Sequence, residues 1–289
     1  MKKQSLTDIL DIFMTQENCI TGICDALPLP SPPEGFTPFV SQNRLKRTHP
    51  SLSLPGAKSI MVFCVKNEAV HFPPMPEDAG ILSVLAATKD YHESLKALIK
   101  KFVGLLQSYG YPSVAYKILV DSSTLDERAL AVKAKLGYIG KNGLLITPEY
   151  GSRHNIGILL TDIPMRISAL PDEKISPSAC PETCNKCVEA CPSGALTGGY
   201  AVENCISYLT QKEDLAPEEE SKLGRHLYGC DVCQDICPKN QPAQTAWAMP
   251  EDWLAMSDED LASTYVHTAM SWCSPERLKR NARAVIANR

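Results

Sequence analysis

The chain has 289 residues, 44% of them hydrophobic, enough to bury a large core in one main domain with a smaller one attached. Its net charge of -4 and pI near 5.9 exclude a bulk electrostatic drive toward nucleic acid or membrane surfaces; such a contact needs a local basic patch. No apolar run approaches the roughly 18 to 20 residues of a membrane-spanning helix, and MKKQSLTDILDIFMTQ lacks the unbroken apolar core of a secretory signal, so a cytoplasmic protein without membrane association is expected.

In chain order, LPLPSPPEGF (27–36) is too rich in proline to be regular. SIMVFCV (59–65) predicts a buried strand. From Ile81 to Tyr109 the apolar residues Leu85, Tyr91, Leu95, Leu98, Phe102 and Leu105 recur at three- and four-residue steps and predict a helix with one buried face. VAYKILV (114–120) is the next strand. Behind it, Thr124 and Glu127 of TLDE fit a capping box, predicting a helix from about Leu125 to Leu136. The loop GYIGKNG then leads into LLIT, and NIGILLTD predicts a further strand. This alternation predicts an α/β (α+β) cofactor-binding domain over residues 1–170. The proline-bearing IPMRISALPDEKISPS supplies the connector to a second, cysteine-rich domain at 171–240, and residues 241–289 form a short C-terminal helical segment. SYLTQKEDLAPEEESKLG is expected to be an acidic, exposed linker between two cysteine sets.

Eight of the twelve cysteines fall between Cys180 and Cys237, whereas Cys19, Cys24, Cys64 and Cys273 are scattered and read as small apolar residues. In a reducing compartment such a cluster points to metal ligands rather than disulfides. The order is Cys180, Cys184, Cys187, Cys191-Pro192, Cys205, Cys230, Cys233, Cys237-Pro238, so both sets end in CxxxCP. In ferredoxins with two clusters, the cysteine before proline ligates the other cluster. Applied here, Cys180, Cys184, Cys187 and Cys237 hold one 4Fe-4S cluster, and Cys191, Cys205, Cys230 and Cys233 hold the second, with none left over. CxxC pairs also build tetrahedral zinc sites, but zinc has no need of the CxxxCP ending, which favours iron and a ferredoxin-like double 4Fe-4S domain.

Three blocks, VDSSTLDERALAVKAKLGYIGKNGLLITPEYGS (120–152), CISYLT (205–210) and YGCDVCQDICPKN (228–240), resemble the epoxyqueuosine reductase family. LPGAKSIMVF, KDYH and RLKRNARAVIAN fit the same family more weakly. The resemblance covers most of residues 43–289. It implies an oxidoreductase with cobalamin and two 4Fe-4S clusters that reduces epoxyqueuosine in tRNA to queuosine, fed by a low-potential electron donor such as ferredoxin or flavodoxin. By motif match the acid that protonates the departing oxygen is Asp121 in VDSS. A helix N-cap is the plainer reading of that aspartate, but Thr124 already offers a cap. The resemblance also implies cobalamin contacts from Arg47, the loop Gly140, Lys141, Asn142 and Gly143, Leu145, Ile156, Ser207, and the backbone around Asp231 and Val232. Asp90-Tyr91-His92 is reminiscent of a cobalt-binding DxHxxG signature, but Leu95 stands where the glycine belongs, so His92 is expected to be a helix-surface histidine.

Three departures from the family pattern bear on function. Cys180 and Cys184 are separated by three residues where the family has two. Arg153, His154 and Asn155 replace aromatic residues after Gly151-Ser152. Longer members carry a C-terminal helical extension beyond RLKRNARAVIAN, and this chain reads as a short form. The second hypothesis is therefore a ferredoxin-like electron-transfer protein, or a small-molecule reductase, that has lost cobalamin or tRNA specificity. Arg277, Lys279, Arg280 and Arg283 suit either a phosphate-binding patch or a solvated helix face, the latter being commoner.

Overall fold

The computed structural model describes residues 5–30, 39–121, 124–165 and 180–289. Residues 31–36 of the proline-rich stretch, Ser122 and Ser123, and the expected boundary near residue 170 lie outside the described residues. In chain order the elements are α1 (Leu6–Gln16), β1 (Cys19–Asp25), α2 (Arg44–Thr48), β2 (Ser59–Lys66), β3 (Gly80–Leu82), α3 (Tyr91–Ser108), β4 (Tyr116–Val120), α4 (Glu127–Lys133), β5 (Tyr138–Ile139), β6 (Leu145–Ile146) and β7 (His154–Thr161). There follow α5 (Lys186–Ala190), α6 (Ile206–Leu209), α7 (Pro217–Lys222), β8 (His226–Tyr228), α8 (Val232–Asp235), β9 (Ala246–Ala248), α9 (Pro250–Ala255), α10 (Asp258–Tyr265) and α11 (Pro275–Ala287). The chain divides into two compact units, Met1–Asn67 with His92–Pro181 and Glu68–Tyr91 with Glu182–Arg289.

The first unit is built on an antiparallel sheet in the order β1-β2-β7-β4. β2 is apolar almost throughout because both of its faces are covered. Phe63 meets Phe13 of α1 and Phe102 of α3 edge-on, with ring centroids 5.9 and 5.8 Å away. On the alternate positions Ile60, Val62 and Cys64 join Ile158, Leu160 and the α4 residues Leu130 and Ala131 in a second buried cluster. Cys19, Cys24 and Cys64 are buried here, as small apolar residues would be.

The second unit holds a three-stranded sheet, β8-β3-β9, with β3 parallel to β8 and antiparallel to β9. Its core gathers Leu82, Leu227, Trp253, Leu261, Leu278 and Val285 from the sheet and from α9 to α11. Trp253 is 1% exposed, and its indole N–H donates to the Tyr265 hydroxyl at 2.7 Å, satisfying the polar end of a buried ring.

Three expectations need correction. The helix expected from Ile81 begins only at Tyr91: Gly80–Leu82 is recruited as β3 by β8 and β9, partners that local periodicity does not register, and Ser83 caps a short 3-10 turn by accepting from Ala86 N. The cap of α4 is Asp126, which accepts from Ala129 N at 3.0 Å, so the helix starts two residues later than the capping box predicted. The acidic stretch 207–224 is not an exposed linker, because Leu209, Thr210 and Leu223 have no exposed surface and Pro217–Lys222 is helical.

Candidate active site and cluster domain

In the first unit, three consecutive residues at the start of α4 organise the residues singled out by sequence. Asp126 pairs with the buried Arg47 guanidinium at 3.4 Å, and Arg47 also donates to the Leu125 carbonyl. Glu127 accepts the Asp121 N–H at 3.1 Å. Arg128 donates to the Gly143 carbonyl at 2.5 Å. A single helical turn thus fixes Arg47, Asp121 and the GKNG loop together. Burial lowers the Arg47 pKa, and the neighbouring Asp126 charge opposes that shift.

Asp121 follows the last residue of β4 with φ of 45°, in the left-handed region that non-glycine residues rarely occupy. Strain of this kind is held in place by its surroundings and gathers at functional positions. The carboxylate is 69% exposed, and its Oδ2 lies 3.5 Å from His92 Nε2. His92, expected on a helix surface, stands near the start of α3 with its side chain 29% exposed and faces Asp121. Sequence reasoning missed this pair because the two residues lie 29 positions apart and meet only when α3 packs beside the end of β4.

Gly140 turns tightly: a Cβ there would fall 2.5 Å from Ile146 Cδ1 and 2.8 Å from Asn142 Oδ1. Asn142 is 5% exposed, its Oδ1 accepts from Leu144 N, and its Nδ2 is a buried donor without a partner among the described residues. Such an unsatisfied amide suits an acceptor-bearing ligand at this loop. Leu145 is buried, and Ile156, on β7, packs against the same core cluster. Near the start of β7, Arg153 is buried, and burial lowers the His154 pKa to about 4, leaving that imidazole neutral.

In the second unit, the duplicated cysteine runs become two short helices, α5 and α8, packed against each other. Cys187 lies on α5 and Cys233 on α8, while Cys191 leaves α5 with ψ of 111°, the extended conformation that a following proline demands. Burial pushes the Cys230 thiol up to about 12, with Cys205 and Cys191 among the charges that raise it further. Burial also raises Cys233, with Cys230, Cys205 and Cys187 contributing. Buried soft thiols of this kind become thiolates when a bound cation compensates the charge, and they suit iron–sulfur clusters. Cys184 and Cys237 belong to the same unit, and Cys180 is counted with the first.

A buried polar pin holds the cluster loops. Thr210 has no exposed surface; its hydroxyl donates to the Ser207 carbonyl and accepts from Gly229 N, joining the turn after Cys205 to the residue before Cys230. Ser207 Oγ lies 3.5 Å from Gln211 Nε2. Asp231 accepts from Val84 N at 2.6 Å and from Gln234 Nε2 at 3.0 Å, and Val232 opens α8. The basic residues of α11 are not simply solvated. Arg277 donates to the Gln211 carbonyl, Arg280 to those of Lys212 and Glu213, and Lys279 to Met256 and Asp258, while Arg283 is exposed.

The cysteine-bearing helix pair defines an iron–sulfur protein by its chemistry, and residues 180–240 match the 4Fe-4S double cluster binding domain. Residues 47–122 match the family described as Epoxyqueuosine reductase QueG, DUF1730. The chain belongs to the epoxyqueuosine reductase family. It is 33% identical over 260 residues to the epoxyqueuosine reductase of Staphylococcus aureus, covering 84% of this chain and 67% of that protein. Among solved structures, an epoxyqueuosine reductase with a tRNA-Tyr epoxyqueuosine-modified stem loop superposes with a TM-score of 0.85 at 27% identity, over 98% of this chain and 80% of that one. The Bacillus subtilis enzyme, with its catalytic aspartate loop swung out of the active site, gives the same TM-score over 98% of this chain and 81% of that one. Among the described residues no helix is long and apolar enough to cross a membrane.

Proposed function

We propose that this chain reduces epoxyqueuosine in tRNA, using two 4Fe-4S clusters and cobalamin, in the cytoplasm. The observation that carries the reading is the superposition, over nearly the whole chain, on an epoxyqueuosine reductase solved with an epoxyqueuosine-modified stem loop. Relatedness over 84% of the chain to reductases of greater length favours this over a ferredoxin-like carrier.

In this reading Cys180, Cys184, Cys187 and Cys237 hold one cluster and Cys191, Cys205, Cys230 and Cys233 the other. Each cluster passes one electron at a time from a low-potential donor such as ferredoxin or flavodoxin. Arg47, the loop from Gly140 to Gly143, Leu145, Ile156, Ser207, Asp231 and Val232 hold the cobalamin, with the unsatisfied Asn142 amide offering a hydrogen bond to it. Bound cobalamin supplies the low-valent cobalt chemistry that acts on the epoxide. Asp121 donates a proton to the epoxide oxygen as its C–O bond opens, a role supported by its strained, exposed position at the end of β4. Glu127 fixes the backbone from which that carboxyl projects.

The deciding experiment starts with anaerobic iron and sulfide reconstitution, followed by titration with cobalamin under electron paramagnetic resonance and then turnover on an epoxyqueuosine-modified stem loop. A changed cobalt signal and formation of queuosine are expected. Clusters without corrin binding or turnover would leave only an electron carrier.

A further inference from the structure

An acid that gives up two protons in each turnover must be reloaded from a group beside it. Reductive removal of an epoxide oxygen, giving an alkene and water, consumes two electrons and two protons, and both protons end on that oxygen. The clusters relay the electrons from the external donor, and the protons must come from side chains or solvent. An ordinary exposed carboxyl has a pKa of about 3.9, so fewer than about one in a thousand is protonated at pH 7. The Asp121 side chain is 69% exposed, so water reaches it.

His92 is a proton carrier within reach of Asp121. An imidazole titrates near 6.5 in the ordinary case, and a carboxylate beside it favours its charged form. His92 Nε2 stands 3.5 Å from Asp121 Oδ2, and the imidazole is 29% exposed, so it faces the carboxylate on one side and water on the other. Charged residues stand on both neighbouring helices. α4 brings Glu127, on the Asp121 N–H, together with Asp126 and Arg128, which engage Arg47 and the Gly143 carbonyl; α3 adds Glu93 in its first turn.

Resting on the reading above, we infer that His92 and Asp121 form a proton-delivering couple, in which Asp121 hands its proton to the substrate oxygen and His92 reloads it from solvent. For each proton delivered, the Asp121 O–H bond breaks and an O–H bond forms on the substrate. The His92 N–H bond then breaks as Asp121 is reprotonated, and the neutral imidazole recovers a proton from water. Two such cycles deliver the two protons that accompany the two electrons. His92 acts through Asp121 and is in that sense a positioning and proton-supplying residue.

Two measurements on the reconstituted full chain test this. In the first, the His92 ring resonance is followed by NMR against pH in the wild type and in Asp121→Asn, without substrate. Its midpoint is expected to fall by about 0.2 to 0.7 unit when the carboxylate is removed, the range of an exposed ion pair. An unchanged midpoint overturns the couple whatever the substrate proves to be. In the second, turnover on the modified stem loop is measured from pH 5.5 to 8.5 for the wild type and for His92→Gln. The variant is expected to lose about tenfold at pH 8 and less than threefold at pH 5.5, because solvent reloads an isolated carboxyl more readily in acid. Parallel profiles with normal turnover overturn the couple and leave the function standing. A wild type that binds cobalamin but never turns over this substrate overturns the function, while the NMR result still judges the contact.

Discussion

Glu127 Oε2 accepts the Asp121 N–H at 3.1 Å, so the first turn of α4 holds the backbone of the proposed acid in a left-handed conformation it would not adopt unaided. Releasing that hold with Glu127→Ala should lower kcat about ten- to a hundredfold with a smaller change in KM, because misplacing a reacting group by about 1 Å costs on that order. Steady-state kinetics on the modified stem loop, with cluster absorbance as a folding control, checks it; a change confined to KM argues for a role in binding instead.

Asp121→Asn should remove general acid catalysis, lowering turnover about 10²- to 10⁴-fold while cluster absorbance and cobalamin binding stay at wild-type levels. Single-turnover reduction monitored by mass spectrometry of the nucleoside separates this from an electron-transfer defect.

Thr210 ties the turn after Cys205 to the residue before Cys230 through one buried hydroxyl. Thr210→Val leaves the Gly229 N–H unsatisfied and should cost about 1–3 kcal/mol, whereas Thr210→Ser should retain most of the stability. Anaerobic denaturation of the reconstituted protein, followed by cluster absorbance, distinguishes the two variants.

Asn281 has no exposed surface and donates to the carbonyls of Thr210 and Leu227, pinning α11 against the same region. Asn281→Ala strands both acceptors and leaves a cavity, so a loss of about 2–4 kcal/mol is expected in the same denaturation assay.

The His154 imidazole, pushed down to about 4 mainly by burial, folds neutral. Between its ordinary value of about 6.5 and its folded value the unfolded chain binds more protons. Its contribution is therefore fully present above about pH 6.5 and is lost as pH falls toward 4, about 2 kcal/mol of it between pH 7.5 and 5. His154→Phe should flatten that acid limb in denaturation curves taken across this range; an unchanged slope would assign the acid sensitivity to other groups.

The chain alone displayed the cysteine framework, because thiolate chemistry is written in residue type and spacing, and α5 and α8 carry the duplicated pattern as two packed helices. It also displayed β2, whose run of apolar residues leaves few alternatives to a strand buried on both faces. It did not display β3, since Gly80–Leu82 becomes a strand only through hydrogen bonds to β8 and β9, more than 140 residues away. Nor did it place the cap of α4: the capping box pointed to Thr124, whereas Asp126 caps the helix and is held by its ion pair with Arg47, a tertiary contact. Asp121 could be located from its motif, but its left-handed backbone, its hold on Glu127 and its imidazole neighbour arise where α3, β4 and α4 meet. Local order singled out the residues proposed to carry the chemistry, and tertiary packing decided how each is held, because hydrogen bonds and ion pairs act over a few ångströms in space whatever their separation in the chain.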